Sequence, residues 1–179
     1  MAMVNASLCE GHLLVSQKKA VVTPRRLLKK SSSDVHDLKN YWPVSNLSFV
    51  SKLVEGAAVK QLVDYLEVNE FMPKLQSAYR KHRSTETAVL RRVLIVRYID
   101  RDGQPCDPHL LDLSAAFGCI DRDILLSTLQ SNFGLGGVTL TWIRSFLTDR
   151  SQRVFFNGNL SIEIMLFGVP RGSVLGPLL

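Results

Sequence analysis

The sequence predicts an α+β domain, and three observations support that fold class. Apolar residues recur at spacings of three and four from about Val50 to Leu66, which is the period of an amphipathic helix. Two β-prone runs flank Asn157 and Gly158, a dipeptide typical of a tight hairpin. The chain has 179 residues, 46% hydrophobic and 21% charged, which suits one globular domain or part of a larger one.

The N-terminal half begins with weak signals and continues into a strong one. Residues 1–20 are uncertain because they carry little pattern, and disorder is one interpretation. Residues 20–23 form a short β-prone piece, and residues 31–34 are typical of a loop. In the long helix that follows, Gly56 costs about 1 kcal/mol relative to Ala, and Pro73 ends the segment. The predicted apolar stripe consists of Val50, Leu53, Val54, Ala57, Ala58, Leu62 and Leu66.

A second helix is expected from Ser84 or Thr85, either of which can cap it, with Glu86 near its positive end. Its predicted buried stripe is Val89, Val93 and Val96. Residues 109–113 predict a short strand.

Two more helices are expected in the C-terminal part. Asp121 can cap the first, which ends at Gly134. Its predicted inward-facing residues are Ile124, Leu125 and Leu129. The second covers about Val138 to Leu147.

Composition limits the classes of function. The net charge is +6, yet residues 107–179 hold 5 basic and 6 acidic side chains, so the positive charge lies in the first 106 residues. Such a distribution suits a phosphate-binding surface beside a metal site, and a solvated basic surface without a partner is the alternative. No run of 18 apolar residues and no secretory signal occurs, so we expect no membrane span. Three scattered cysteines favour an intracellular location, cytoplasmic or nuclear.

The most informative stretch is residues 110–121, where an apolar pair leads into Asp112 and an aromatic, Phe117, follows five positions later. A carboxylate at the end of a buried strand is costly unless a cation or a hydrogen-bond network receives it. Polymerases use such an acid to hold Mg²⁺ against nucleotide phosphates. An Asp that caps the following turn is the alternative, and Asp112 alone does not decide between them.

Three more blocks surround Asp112, in this order: Tyr-Trp-Pro-Val-Ser-Asn-Leu-Ser-Phe-Val-Ser-Lys-Leu from Tyr41, Gln-Ser-Ala-Tyr-Arg-Lys-His-Arg-Ser-Thr-Glu-Thr-Ala from Gln76, and Gly-Val-Pro-Arg-Gly-Ser-Val-Leu-Gly-Pro-Leu from Gly168. Together the four blocks resemble the reverse transcriptase of LINE-type non-LTR retrotransposons, in particular the jockey and chicken-repeat-1 groups. The resemblance runs from about Val21 to Leu179. It implies a partial right-hand polymerase, with fingers at about 21–106 and the first part of an antiparallel palm sheet with packed helices at about 107–179.

The resemblance also implies the chemistry, which is RNA-templated DNA synthesis from dNTPs on an RNA template and a DNA primer. Asp112 would be the catalytic carboxylate and would hold Mg²⁺ together with the backbone carbonyl of Leu113. Phe117 would lie under the sugar of the incoming nucleotide, with a core aromatic as the alternative.

Two basic or glycine-rich segments would contact the substrates. Arg80, Lys81 and Arg83 resemble residues that meet the triphosphate or the template backbone, with a solvated basic loop as the alternative. The loop and helix start that border the nucleotide and template are Gly168, Pro170, Arg171, Gly172 and Ser173. Exposed backbone N–H groups at a helix start suit phosphate contact.

Three departures from the family pattern suggest decay of an element copy. Gly118 replaces a common Asp, Arg171 a common Gln, and Trp42 a common Arg. The family's remaining carboxylates come from a Phe-Ala-Asp-Asp or Tyr-Ala-Asp-Asp hairpin downstream, and no Asp-Asp pair occurs in these 179 residues. We therefore expect a fragment without polymerase activity that self-associates through uncovered apolar faces. A non-catalytic nucleic-acid-binding remnant and a decayed product with no selected role are the alternatives.

Overall fold

The computed structural model describes residues 2–26, 40–80, 82–91 and 116–179. The chain divides into two compact units, one of Met1–Val63 with Ala115–Leu179 and one of Asp64–Ser114. The described helices are α1 (Ala2–Glu10), α2 (Phe49–Val68), α3 (Arg122–Phe133) and α4 (Gly137–Leu147), with 3₁₀ turns at Val15–Gln17 and Gly176–Leu178. The described strands are β1 (Lys19–Arg26), β2 (Tyr41–Leu47), β3 (Ser151–Phe156), β4 (Asn159–Leu160) and β5 (Ile164–Met165). Residues 85–91 are also helical. The α+β class is confirmed.

The N-terminal residues, whose structure the sequence left uncertain, form α1 and pack against α4. The Trp142 indole Nε1 donates to Ser7 Oγ at 3.1 Å, and Ser7 Oγ donates to the His12 carbonyl at 2.6 Å. The backbone N–H of Leu13 donates to Ser145 Oγ at 3.0 Å, and the Leu13 side chain is fully buried. Buried polar and apolar contacts thus hold Ser7 and Leu13 to α4.

The sheet has the strand order β2-β1-β3-β4, and β5 pairs with β3 as well. β1 pairs antiparallel with β2 but parallel with β3, from Lys19 opposite Ser151 to Val22 opposite Val154. Within the expected palm, β3 pairs antiparallel with both β4 and β5, and its pairing with β1 makes the described sheet mixed. The physical reason is that β3 joins β1 only after α3 and α4, and a long helical connection allows parallel pairing.

The strand pairing also explains the composition of the first compact unit. Since β1 lies between β2 and β3, residues before Asp64 belong to the same compact unit as residues 115–179. The expected division into fingers at about 21–106 and palm at about 107–179 stays a prediction.

The predicted hairpin is confirmed. Asn157 and Gly158 have φ angles of +48° and +78°, and they join β3 to β4 with Phe156 opposite Asn159. Two consecutive residues with positive φ form the turn whose twist matches a two-residue hairpin, which is why Asn-Gly is favoured there.

The long helix is confirmed as α2, although its buried stripe differs from the predicted one. Val54, Ala58, Leu62 and Leu66 are buried, as expected, while Leu53 is 52% exposed. Two polar residues, Ser51 and Glu55, are completely buried on the same stripe. The sequence pattern did not indicate them, because polar residues are normally assigned to the solvent side of an amphipathic helix.

The capping of α3 is confirmed, and its buried face is partly corrected. The Asp121 carboxylate accepts from the backbone N–H groups of Asp123 at 2.9 Å and Ile124 at 3.0 Å, and Gly134 ends the helix with φ +66°. Ile124 is 67% exposed, whereas Leu126 and Leu129 are buried. Ile124 lies two positions before Leu126, about 200° around the helix, and therefore faces solvent.

The described part of the second unit includes residues 71–80 and 82–91. Ser84 caps residues 85–91, because Thr87 N–H donates to Ser84 Oγ at 3.2 Å while Ser84 N–H donates to Thr87 Oγ1 at 2.9 Å. Val89 is 55% exposed rather than buried. The rest of that stripe and the predicted strand 109–113 lie outside the described residues. Within the described ranges, no helix combines the length and apolar character needed to cross a membrane.

Candidate functional site

The segment from Gly168 to Gly176, here called the 168–176 loop, begins against the backbone that follows Asp112 in the sequence. The Val169 N–H donates to the Phe117 carbonyl at 2.8 Å. Gly168 has φ +66°, and a Cβ there would lie 2.2 Å from the Phe117 carbonyl oxygen and 3.0 Å from Gly118. Only glycine fits this approach. The structure therefore brings together two predicted site positions, Phe117 and Gly168, that are 51 positions apart in the sequence.

Arg122 fixes the start of the loop. Its Nε donates to the Gly168 carbonyl at 2.9 Å, and one terminal guanidinium nitrogen donates to the Leu166 carbonyl. Burial lowers the pKa of Arg122, and the nearby charge of Asp149 opposes that shift. Sequence reasoning missed this residue. A signal was present, because a cation in the first turn of a helix is disfavoured by the helix dipole unless it serves another contact.

Glu55 fixes the other end of the loop. Its Oε2 accepts from the backbone N–H of Val174 at 2.7 Å and of Leu175 at 3.4 Å. Its Oε1 accepts from Ser51 Oγ at 2.8 Å. The Glu55 side chain has no exposed surface, and such burial is tolerated only when the carboxylate is well hydrogen-bonded.

The end of the loop also bonds internally. Ser173 Oγ donates to the Pro170 carbonyl at 2.7 Å and accepts from the Gly176 N–H at 3.0 Å. The 3₁₀ turn Gly176–Leu178 follows directly. The N–H groups of residues 174–176, expected at an exposed helix start, are thus bonded within the chain. Pro170 and Ser173 are buried, while Arg171 and Gly172 remain exposed.

A cavity of about 390 Å³ lies between the sheet and the 168–176 loop. Its wall is mainly apolar, and its polar lining side chains are Ser45, Gln152 and Arg171. Gly118 also lines it, and Gly172 lies so close to β2 that an added Cβ would be 2.6 Å from the Ser45 carbonyl oxygen. An apolar cavity of this size with a few polar groups is typical of a small-molecule site.

A buried cation, Arg150, directly precedes β3. Arg150 is 1% exposed, its guanidinium carbon lies 4.3 Å from the Phe146 ring centroid, and its Nε donates to the Phe146 carbonyl. Burial lowers the pKa of Arg150 to about 10, Glu55 acts in the opposite direction, and Arg122 adds to the lowering. Within the described residues, the two terminal guanidinium nitrogens of Arg150 have no hydrogen-bond partner.

The other predicted site residues are separate or lie outside the described ranges. Asp112, Leu113 and Lys81 are outside them. Arg80 and Arg83, in the second unit, are half-buried, and Arg80 donates to the Pro73 carbonyl at 3.1 Å. In the parts of the chain that are described, no three His, Cys, Asp or Glu residues form a group that could hold a metal ion.

Comparison with known families gives a match over most of the chain. Residues 27–179 match the family described as reverse transcriptase (RNA-dependent DNA polymerase). The matched range contains β2, α2, the Phe117 segment and the 168–176 loop, and it begins just after β1.

Three individual relatives come from Drosophila melanogaster. The chain is 30% identical over 154 residues to the probable RNA-directed DNA polymerase from transposon BS, covering 86% of this chain and 17% of that protein. It is 27% identical over 176 residues to the RNA-directed DNA polymerase from mobile element jockey, covering 98% of this chain and 19% of that protein. The probable RNA-directed DNA polymerase from transposon X-element is 27% identical over 159 residues, covering 86% of this chain and 17% of that protein. The chain thus spans less than a fifth of the length of these relatives.

Proposed function

The chain belongs to the reverse transcriptase (RNA-dependent DNA polymerase) family, and we propose that its residues form the nucleotide- and template-facing part of such a domain. The proposed reaction is RNA-templated DNA synthesis from dNTPs, on an RNA template and a DNA primer. One observation carries the proposal: the 168–176 loop is fixed against Phe117 and Gly118, beside a cavity that Arg171 lines.

Asp112 and the carbonyl of Leu113 would hold Mg²⁺ in this proposal. The donor set fits, since Mg²⁺ prefers carboxylate and carbonyl oxygens. When bound, the ion supplies charge neutralisation for the nucleotide phosphates. Both residues precede Phe117 by only a few positions, and the Phe117 backbone is itself fixed by Val169.

The proposed substrate contacts follow from exposure and charge. Phe117 is half-buried, and its side chain would lie under the sugar of the nucleotide. Arg171 is an exposed cation that lines the cavity and would meet a phosphate or the template backbone. Arg80, Lys81 and Arg83 would contact the triphosphate or the template backbone. We retain the expected division into fingers and palm. In that division, β1 and β2 belong to the fingers and lie in one sheet with β3 of the palm.

Two further properties belong to the proposal. An intracellular location is supported by Cys9 and Cys119, both free and exposed, because an oxidising compartment favours disulfides. Non-specific self-association is supported by Ile162 and Phe167, which are 83% and 77% exposed near the β3–β5 strands.

Primer extension tests the catalytic proposal. The protein that contains these residues is incubated with an RNA template, an annealed DNA primer, dNTPs and Mg²⁺. These 179 residues should give no extension above an Asp112→Asn control, because the family's Asp-Asp pair does not occur in them. A reverse transcriptase that carries these residues together with that pair should extend the primer, and Asp112→Asn should remove the extension because an amide is a much poorer Mg²⁺ ligand than a carboxylate. Asp121→Asn is the matched control, since Asn caps a helix as well as Asp and should leave extension intact. Extension that survives Asp112→Asn would contradict the assignment of Asp112.

A second candidate function is nucleic-acid binding without catalysis, favoured by the positive charge of the first 106 residues. In that case no extension is seen, yet a labelled RNA binds with an affinity that falls steeply as salt rises. Changing Arg80, Lys81 and Arg83 together to Ala should then reduce the slope of log K against log salt by about 3, or roughly 1 per phosphate contact. An unchanged slope would exclude those residues from binding.

A further inference from the structure

We propose that Glu55 is a positioning residue that holds the 168–176 loop, and with it Arg171, in the geometry that contacts the primer–template. The inference rests on the proposed function of Arg171. Glu55 lies on α2, outside the residues to which the family resemblance assigns roles, and it touches the loop only through the backbone.

The hydrogen bonds around Glu55 fix the orientation of its carboxylate. Ser51 lies one turn before Glu55 on α2, is fully buried, and donates its hydroxyl to Oε1 at 2.8 Å. The Ser51 N–H is itself bonded to Ser48 Oγ at 3.1 Å. With Oε1 fixed in this way, Oε2 faces the loop and receives the Val174 and Leu175 N–H groups.

A carboxylate at this position needs a reason other than packing. Its neighbours on the buried stripe, Val54 and Ala58, are apolar, and an apolar residue at position 55 would fill the space without a desolvation cost. The two loop N–H groups provide that reason, because they would otherwise be left without acceptors at the buried end of the loop. The buried cation Arg150 partly offsets the charge of Glu55.

Contacts at both ends of the 168–176 loop determine where Arg171 lies. Arg122 and the Phe117 carbonyl hold its beginning, and Glu55 holds its end. Between these ends the chain turns at Gly172, with φ +74°, against the backbone of Ser45. The turn places Arg171 at the cavity, so releasing one end should let Arg171 leave that position.

A double-mutant cycle tests the inference. Binding of a labelled RNA–DNA primer–template duplex is measured at several salt concentrations for the wild-type chain, Arg171→Ala, Glu55→Ala and the double variant. In the wild-type background, Arg171→Ala should reduce the slope of log K against log salt by about 1. In the Glu55→Ala background the same substitution should change the slope little. Glu67→Ala, an exposed acid on the same helix, is the control and should leave the Arg171 effect intact.

Two conservative variants keep the test decisive if Glu55→Ala does not fold. Glu55→Gln retains an oxygen that accepts from the loop N–H groups, and its NH₂ group can donate a hydrogen bond to Ser51 Oγ. This variant should therefore preserve the Arg171 effect despite the lost charge. Glu55→Asp keeps the charge but is one methylene shorter, so it should abolish the effect. Amide exchange at Val174 and Leu175 should speed up by about tenfold in Glu55→Asp and stay near wild type in Glu55→Gln, as expected for loss of about one hydrogen bond.

The outcomes separate the two proposals. If Arg171→Ala has no effect on binding in the wild-type chain, the proposed contact of Arg171 is wrong. If it has the same effect in the Glu55→Ala or Glu55→Asp background as in the wild type, the positioning role is overturned while the contact stands. Unchanged amide exchange in Glu55→Asp would overturn the positioning role independently of any ligand.

Discussion

Residues of the 168–176 loop and the basic residues Arg80 and Arg83 were both expected to contact substrates, yet their surroundings in the structure differ. The loop is tied at one end by Arg122 and at the other by Glu55, and most of its residues are buried. Residues 71–80 and 82–91 are mainly exposed, and the hydrogen bonds of Arg80 and Arg91 go to the backbone carbonyls of Pro73 and Lys74 in the same part of the chain.

The difference shows that charge in a loop has two distinct uses. Arg122 and Glu55 hydrogen-bond backbone groups at the two ends of the 168–176 loop. Arg171 is the exposed cation of the loop. In residues 71–80 and 82–91 the charged side chains are exposed or half-buried, so they contribute little to stability and are accessible to a phosphate ligand.

The largest expected difference concerns Arg150 and Arg80. Arg150→Ala should lower the free energy of unfolding by about 2–5 kcal/mol, because it removes a buried side chain that packs on the Phe146 ring and bonds the Phe146 carbonyl. Arg80→Ala should cost about 1 kcal/mol or less, since it removes one exposed hydrogen bond. Urea unfolding followed by far-UV circular dichroism measures both. Equal losses of unfolding free energy in the two variants would contradict the difference between the two regions.

The next effect tests the close approach at the start of the loop. Gly168→Ala should destabilise the protein by about 1–3 kcal/mol from its positive φ, plus a further cost from the clash with the Phe117 carbonyl. Gly137→Ala is the matched control, because its φ is +55° but an added Cβ meets nothing within 4 Å. Thermal melts of the two variants should differ by the cost of the clash alone. A Gly168→Ala protein as stable as Gly137→Ala would mean that the loop moves away from Phe117 freely.

A third prediction concerns the second region and should be local. Ser84→Ala removes the bond from the Thr87 N–H to Ser84 Oγ, while the backbone N–H at position 84 can still donate to Thr87 Oγ1. It should destabilise the helix of residues 85–91 by about 1 kcal/mol. Amide exchange within residues 85–91 should accelerate, while exchange in α3 and α4 stays unchanged. Thr85→Ala, which leaves both bonds in place, serves as the control. Acceleration in α4 as well would show that the two regions unfold together.

The smallest effect is expected at the surface of the sheet. The Ser151 hydroxyl, Arg153 and Lys19 lower the pKa of Glu163 below its ordinary value of 4.5. Because the folded pKa is the lower one, the stabilisation is complete above the unfolded value and is lost as pH falls through the folded value. Glu163→Gln should therefore remove a small part of the acid sensitivity below about pH 4.5 and change little at pH 7. Identical acid titrations of the two proteins would show that these contacts do not persist in solution.

Much of the fold could be predicted because it depends on local chemistry. Asp121 and Ser84 cap helices wherever a helix begins after them, and Asn157-Gly158 turns a hairpin whatever surrounds it. The family could also be identified, since four blocks in the right order carry more information than any one of them.

The candidate site could be predicted only in part, because what its residues do depends on contacts distant in sequence. Nothing near Glu55 in the chain indicates that it bonds the backbone at Val174, 119 positions later. The parallel pairing of β1 with β3 is equally non-local, and so is the burial of Arg150.

The sequence by itself determined the helices α2 to α4, the hairpin, the mixed α+β class and the family. Only the tertiary structure decided which charged residues are buried, which N–H groups of the 168–176 loop are already bonded, and that Arg171 rather than Ser173 is exposed beside the cavity. The physical reason is range: caps, turns and helical periods are set within a few residues, whereas the burial of a charge depends on which distant segment supplies its hydrogen bonds.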